Sequence, residues 1–104
     1  MATGGAKVWE IEGWDSTTLI FSRTIPFGML SEAGMIALLQ RLLARHLTPG
    51  EIIDASLRRN AKGYLPLLKG RKHATLEQFT VWVGQNPYYT AIVRYRPATD
   101  EVNA

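Results

Sequence analysis

Two stretches in which apolar and polar residues alternate lie towards the two ends of the chain, and they constrain its fold more than any other feature. The first covers residues 7–25 and is interrupted by the polar pair Asp15-Ser16. The second covers residues 79–96 and is interrupted by Gln85-Asn86-Pro87. Alternation with a period of two around a short polar turn is typical of a β-hairpin. The sequence therefore predicts one antiparallel hairpin towards each end.

The region between the hairpins has the spacing of a helix. Ser31 is a suitable N-cap, and Glu32 follows it in what would be the first turn. A helical stripe then recurs every three or four positions, at Met35, Ile36, Leu39, Leu42, Leu43 and either His46 or Leu47. This recurrence predicts an amphipathic helix with one broad apolar face.

A second helix is predicted from the segment Thr48-Pro49-Gly50-Glu51. Threonine can cap a helix, proline suits the first helical position, and a glutamate three residues after the cap can bond back to the cap's amide. We expect this helix to turn Ile52, Ile53 and Leu57 inward and to end near residues 60–63. Three basic residues would then complement the helix dipole in its last turn: Arg58, Arg59 and Lys62.

The remaining segments complete a prediction of the fold. Residues 64–68 are interrupted by Pro66, which indicates an irregular segment or a short edge strand, and residues 69–73 are expected to form an exposed basic loop. The order β-β-α-α-β-β predicts an α+β two-layer sandwich, with a four-stranded antiparallel sheet and two helices packed on one face. We expect a single domain over residues 1–104, with residues 1–6 frayed and residues 97–104 forming a flexible tail.

Composition excludes several kinds of site. The 104 residues include no cysteine, which removes disulfides, thiolate metal sites and cysteine nucleophiles. Neither histidine, His46 or His73, belongs to a recognisable catalytic or metal-binding pattern, and no cofactor is expected. No secretory signal or membrane-spanning stretch is evident, which favours a soluble cytoplasmic protein. We therefore expect a binding protein rather than an enzyme.

Positive charge is concentrated in one part of the chain. Residues 55–76 contain six Lys or Arg residues and no carboxylate. The whole chain has 12 basic and 9 acidic residues, a net charge of +3, so the remainder is net −3 (6 minus 9). A clustered positive field attracts polyanions. The first hypothesis is therefore a module that binds an anionic partner, with nucleic acid as the main candidate.

Nine residues are candidates for this anion-binding surface. They are Arg58, Arg59, Lys62, Lys69, Arg71, Lys72, His73, Arg94 and Arg96. The last two are included because alternation places them on the sheet face opposite the helices, whereas Trp9, Leu19, Phe21, Val81 and Val93 are expected to face the helices. Basic residues interspersed with aromatic ones on an open sheet suit single-stranded RNA or DNA.

The same open face supports an alternative hypothesis. Its apolar members are predicted to be Trp14, Ile20, Trp82 and Ile92. Monomers seldom expose a large apolar patch, so these residues could instead form the interface of a homodimer or of an adaptor protein. No membrane partner is expected. Salt dependence separates the two hypotheses, because phosphate contacts weaken steeply as salt rises and apolar contacts do not.

A third possibility follows from a resemblance in the C-terminal half. Leu68-Lys69-Gly70 and the segments 79–84 and 91–95, which come after a helix pair, resemble RelE/ParE-type toxins. These toxins pair two helices with an antiparallel sheet that carries basic and aromatic side chains. The N-terminal hairpin is a departure, and Thr80 or Trp82 stands where the family has an arginine. The resemblance implies an RNA-cleaving activity and nominates four residues for testing: Lys69, Arg71, Arg94 and Tyr95.

Overall fold

Five strands and two α-helices form in the chain, and a computed structural model describes them for residues 5–97. The strands are β1 (Gly5–Asp15), β2 (Thr18–Pro26), β3 (Gly70–Ala74), β4 (Phe79–Gly84) and β5 (Tyr88–Pro97). The α-helices are α1 (Glu32–Ala44) and α2 (Pro49–Ser56), and a 3-10 helix at Phe27–Met29 connects β2 to α1. All strand pairs are antiparallel, in the order β2-β1-β5-β4-β3. The α+β class is confirmed, but the sheet has five strands where we expected four.

The additional strand is β3, which lies in the segment that we expected to be a basic loop. It pairs with β4, from Gly70 opposite Val83 to Ala74 opposite Phe79. All of its residues except Gly70 are exposed, because β3 is an edge strand and carries polar side chains on both faces. A strand of this kind has no apolar alternation, so its sequence lacks the usual signal.

Strand β1 joins the two hairpins into one sheet. It pairs with β2 on one side and with β5 on the other. Gly5, which we expected in a frayed start, is the first residue of β1 and lies opposite Pro97 in β5. The rest of the expected C-terminal tail and residues 1–4 lie outside the described residues.

Helix α1 covers one side of the core with the apolar face that its sequence predicts. Met35, Leu39 and Leu43 are buried, and the helix packs on β4 and β5. The Oγ of Ser31 accepts a hydrogen bond from the amide of Gly34 (3.0 Å), so the predicted N-cap is confirmed. The sheet contributes the rest of the buried cluster: Trp9, Ile11, Val81, Val83, Tyr89 and Ala91.

Helix α2 begins as predicted and ends earlier. Thr48 and Glu51 form a reciprocal capping box, with hydrogen bonds of 3.1 Å to the Glu51 amide and 2.8 Å to the Thr48 amide. The helix stops at Ser56, because Leu57 already has an extended backbone. Arg58, Arg59 and Lys62 therefore follow the helix instead of occupying its last turn.

Helix α2 contributes less to the core than we expected, because Ile53 does not turn inward. Helix α2 has no buried residue, and Ile53 is 61% exposed. It is attached instead to the segment that follows it, where the Leu65 amide donates to the carbonyl of Asp54 (3.2 Å). Within residues 5–97, neither helix has the length and apolarity that crossing a bilayer requires.

The register of β1 and β2 changes near the hairpin turn. Gly13 lies opposite Phe21, but the next residue, Trp14, lies opposite Leu19, so Ile20 has no partner. Such a shift is a β-bulge, which changes the face to which the following residues point. Leu19 therefore shares the face of Trp14, whereas we expected it on the helix side with Phe21.

Candidate functional site

A surface cleft lies where the end of α1 meets the turn between β4 and β5. We call it the cationic cleft, and its volume is about 360 Å³. Two cations, Lys69 and Arg71, contribute to its wall. Its other lining residues are Leu43, Leu47, Pro66, Leu67, Gly84, Gln85, Asn86 and Pro87. The wall thus combines apolar side chains with two positive charges and two side-chain amides.

A second cleft of about 430 Å³ lies beside α2, and we call it the α2 cleft. Arg59 and Lys69 both line it. Gln40 on α1 donates a hydrogen bond to the carbonyl of Leu68 (2.8 Å), which fixes the chain immediately before Lys69. Lys69 therefore borders both clefts and lies between the one that Arg59 lines and the one that Arg71 lines.

The backbone of β3 determines where its cations lie. A side chain at Gly70 would meet Ile36 of α1, with its Cβ 2.6 Å from the Ile36 Cγ2 atom, so the strand passes close beneath the helix. Arg71 lies opposite Trp82, on the face of the sheet away from α1. Lys72 lies opposite Val81, on the helix side. Adjacent cations of β3 therefore point to opposite faces.

Three of the nine candidate residues have carboxylate partners. Lys72 forms an ion pair with Glu32 (3.2 Å). Arg94 and Arg96 both bind Glu10, through Nε to Oε1 (2.7 Å) and through Nη2 to Oε2 (3.1 Å). The other five cations, Arg58, Arg59, Lys62, Lys69 and Arg71, form no ion pair within residues 5–97.

The nine candidates do not form one surface. Arg94 and Arg96 are six and eight residues along β5 from Tyr88, where the strand begins beside the cationic cleft. At about 3.4 Å per residue, that separation is about 20 and 27 Å. Arg58 and Lys62 are exposed in the loop after α2, and His73 is exposed on β3 opposite Thr80. Of the nine, Lys69 shares one cleft with Arg59 and the other with Arg71.

The four residues of the predicted interaction face are also separated. Trp14 lies on β1 and Trp82 on β4, with β5 between the two strands. Ile92 lies between Glu10 and Thr80, and Trp14 donates its indole N–H to Glu12 (3.2 Å). Polar side chains therefore flank Ile92, whereas Tyr88 lies directly opposite Trp14 and diagonal to Trp82.

Sequence reasoning missed Tyr88 and Gln85. Both line a shallow groove on the open face together with Trp82. Strand β5 begins at Tyr88, opposite Gly84. Extending the alternation of β5 backwards from Thr90 by two residues would have placed Tyr88 on the face of Trp82.

The donors that line the cationic cleft, among them Lys69 and Arg71, can bind an anion. The Nε2 of His46 lies 2.8 Å from the hydroxyl of Tyr89, a pair at the edge of the core. Within residues 5–97, no three His, Asp or Glu residues are grouped to hold a metal. Of the residues that the toxin resemblance nominates, Lys69 and Arg71 lie at one end of the sheet, and Arg94 and Tyr95 lie far along β5.

Compared with known proteins, the chain matches no family model, no curated protein and no solved structure.

Proposed function

We propose that this protein is a nucleic-acid-binding module that holds the phosphate backbone on the surface formed by Arg59, Lys69 and Arg71. The observation that carries the proposal is the position of Lys69 between two clefts, with Arg59 in one and Arg71 in the other. None of the three cations has a carboxylate partner within residues 5–97. Their charge is therefore available to an external anion.

The shape of the surface favours a polymer over a small anion. A single phosphate occupies one cleft, whereas a polyphosphate chain can contact the cations of both clefts at once. Each such contact releases a condensed counterion, so affinity falls as salt rises. Arg71 also presents a planar guanidinium, which can bind phosphate through two parallel hydrogen bonds.

The test is the binding of a fluorescein-labelled single-stranded oligonucleotide of mixed sequence, measured by anisotropy between about 50 and 200 mM salt. We expect the double variant Lys69→Gln/Arg71→Gln to bind about 10- to 100-fold more weakly at low salt, because each exposed charge-assisted hydrogen bond contributes about 1 kcal/mol or more. The slope of log affinity against log salt should become shallower by about 1.4, since each single-strand phosphate contributes about 0.7.

The chain offers a control with the same change in composition and net charge. Lys72→Gln/Arg94→Gln also removes one lysine and one arginine, but both already have carboxylate partners and lie away from the clefts. We expect this control to bind like the wild type. Equal weakening in both double variants would show that net charge alone drives binding, which contradicts the proposed site.

The same samples test the homodimer hypothesis. Light scattering at low and high salt measures the mass of the protein with and without oligonucleotide. A wild type that is dimeric at both salt concentrations and binds no oligonucleotide would replace the proposal with an interaction module. A monomer that binds the oligonucleotide supports it.

A further inference from the structure

A groove on the open face of the sheet lies next to the proposed phosphate-binding surface. We call it the aromatic groove, and its volume is about 390 Å³. Two aromatic side chains, Trp82 and Tyr88, line it. Its other lining residues are Thr80, Gly84, Gln85 and Thr90. The groove is therefore built from two planar rings, small side chains and one amide.

The register of β4 and β5 sets how far apart the two residues lie on the sheet. Trp82 lies opposite Thr90, and Gly84 lies opposite Tyr88. Trp82 and Tyr88 are consequently diagonal neighbours on one face, a relation in which the residues are about 7–8 Å apart. Residues this far apart leave room for one planar ring between their side chains, at about 3.5–4 Å from each. Gly84 contributes only backbone to the groove.

The rings of the groove differ from the aromatic rings on the other side of the sheet. Trp9 stacks on Phe27 with ring centroids 5.4 Å apart, and Phe21 packs against Tyr89 at 6.4 Å. Within residues 5–97, neither Trp82 nor Tyr88 packs against another aromatic ring. Both residues are partly exposed, so a ligand can reach them.

Positive charge lies directly beside the groove. Arg71 is the cross-strand neighbour of Trp82 and also lines the cationic cleft. Gln85 lines both the groove and that cleft. A ligand that joins a flat ring to a phosphate could therefore place the ring in the groove and the phosphate near Arg71.

Building on the proposed function, we infer that the aromatic groove binds one unpaired nucleobase of a single-stranded nucleic acid, stacked between Trp82 and Tyr88. The amide of Gln85 can donate to and accept from the base edge. Base stacking on aromatic side chains is the usual device of proteins that bind single strands. A base within a duplex already stacks and pairs with its neighbours, so the single strand is the preferred ligand.

The test compares Trp82→Leu with Trp82→Phe in binding to the labelled oligonucleotide and to inorganic polyphosphate, which has no bases. Leucine keeps apolar bulk but has no ring, and we expect it to weaken oligonucleotide binding about 10-fold or more. Phenylalanine should restore most of the affinity. Neither variant should change the binding of polyphosphate. The wild type should also bind the single strand more tightly than a duplex of the same sequence.

Two further variants keep the result decisive. Tyr95→Leu makes the same change as Tyr88→Leu at an exposed position further along β5, outside the groove, and it should bind like the wild type. Tyr88→Leu tests the second ring and replaces Trp82→Leu if circular dichroism shows that variant to be unfolded. Wild-type affinity in both groove variants, or equal weakening towards polyphosphate, would overturn the stacking inference. The proposed function would still stand if Lys69→Gln/Arg71→Gln alone lost binding, and it would fail if the wild type bound no oligonucleotide.

Discussion

Changing Leu39 to alanine is expected to lower the free energy of unfolding by about 2–5 kcal/mol. Leu39 is completely buried and belongs to the cluster that joins α1 to the sheet. Removing its branched end deletes apolar contacts and leaves a cavity that neighbouring side chains fill only in part. In a domain of this size, each kcal/mol shifts the melting temperature by about 4–8 °C, so the transition should fall by at least about 8 °C.

The control for this variant is Leu76→Ala, which removes the same atoms from the surface. Leu76 is fully exposed in the segment between β3 and β4. Its truncation should change the free energy of unfolding by no more than about 0.5 kcal/mol. Urea denaturation followed by circular dichroism measures both variants. Similar losses in the two variants would show that α1 does not pack on the sheet as described.

The parts of the fold that the sequence predicts well are those in which the signal is local. The capping box of Thr48 and Glu51 involves residues three apart, and both of its hydrogen bonds are present. The apolar face of α1 is also a local signal, because a helix brings residues that are three and four positions apart onto one face. Such interactions depend little on the rest of the chain, so the sequence alone is enough to identify them.

Strand β3 and the face of Leu19 depend on partners elsewhere. Strand β3 forms because β4 offers a free edge, and its own polar residues give no alternation. Leu19 points away from the helices because the register shifts by one residue beside Trp14. A shift of one residue exchanges the two faces of a strand. Neither feature can be deduced from the composition of the segment that shows it.

Charged residues of the candidate site also divide into those with a local signal and those whose partners are distant in the sequence. Lys69 and Arg71 are two positions apart in the sequence, and the structure keeps them together at one cleft. Arg94 has Glu10 as its partner, which is 84 residues away in the sequence and next to it across β1 and β5. Counting charges along the chain finds the first pair and misses the second.

Changing Gly84 to alanine is expected to lower the free energy of unfolding by about 2–5 kcal/mol. Gly84 has a backbone φ of +92°, in the left-handed region, where a residue with a Cβ is strained by about 1–2 kcal/mol. The added Cβ would also lie 2.7 Å from the carbonyl oxygen of Pro87 and 2.7 Å from the Cδ2 of Leu43. Relieving such overpacking typically costs about 1–3 kcal/mol.

A matched control is Gly28→Ala in the 3-10 helix. A Cβ at Gly28 would meet no atom within 4 Å, and its φ is not positive. Alanine there restricts the unfolded chain without straining the fold, so stability should stay the same or rise by up to about 1 kcal/mol. Urea denaturation of both glycine variants provides the comparison. If Gly84→Ala were as stable as Gly28→Ala, Gly84 could not have the left-handed backbone or the contacts with Leu43 and Pro87 that form the wall of the cationic cleft.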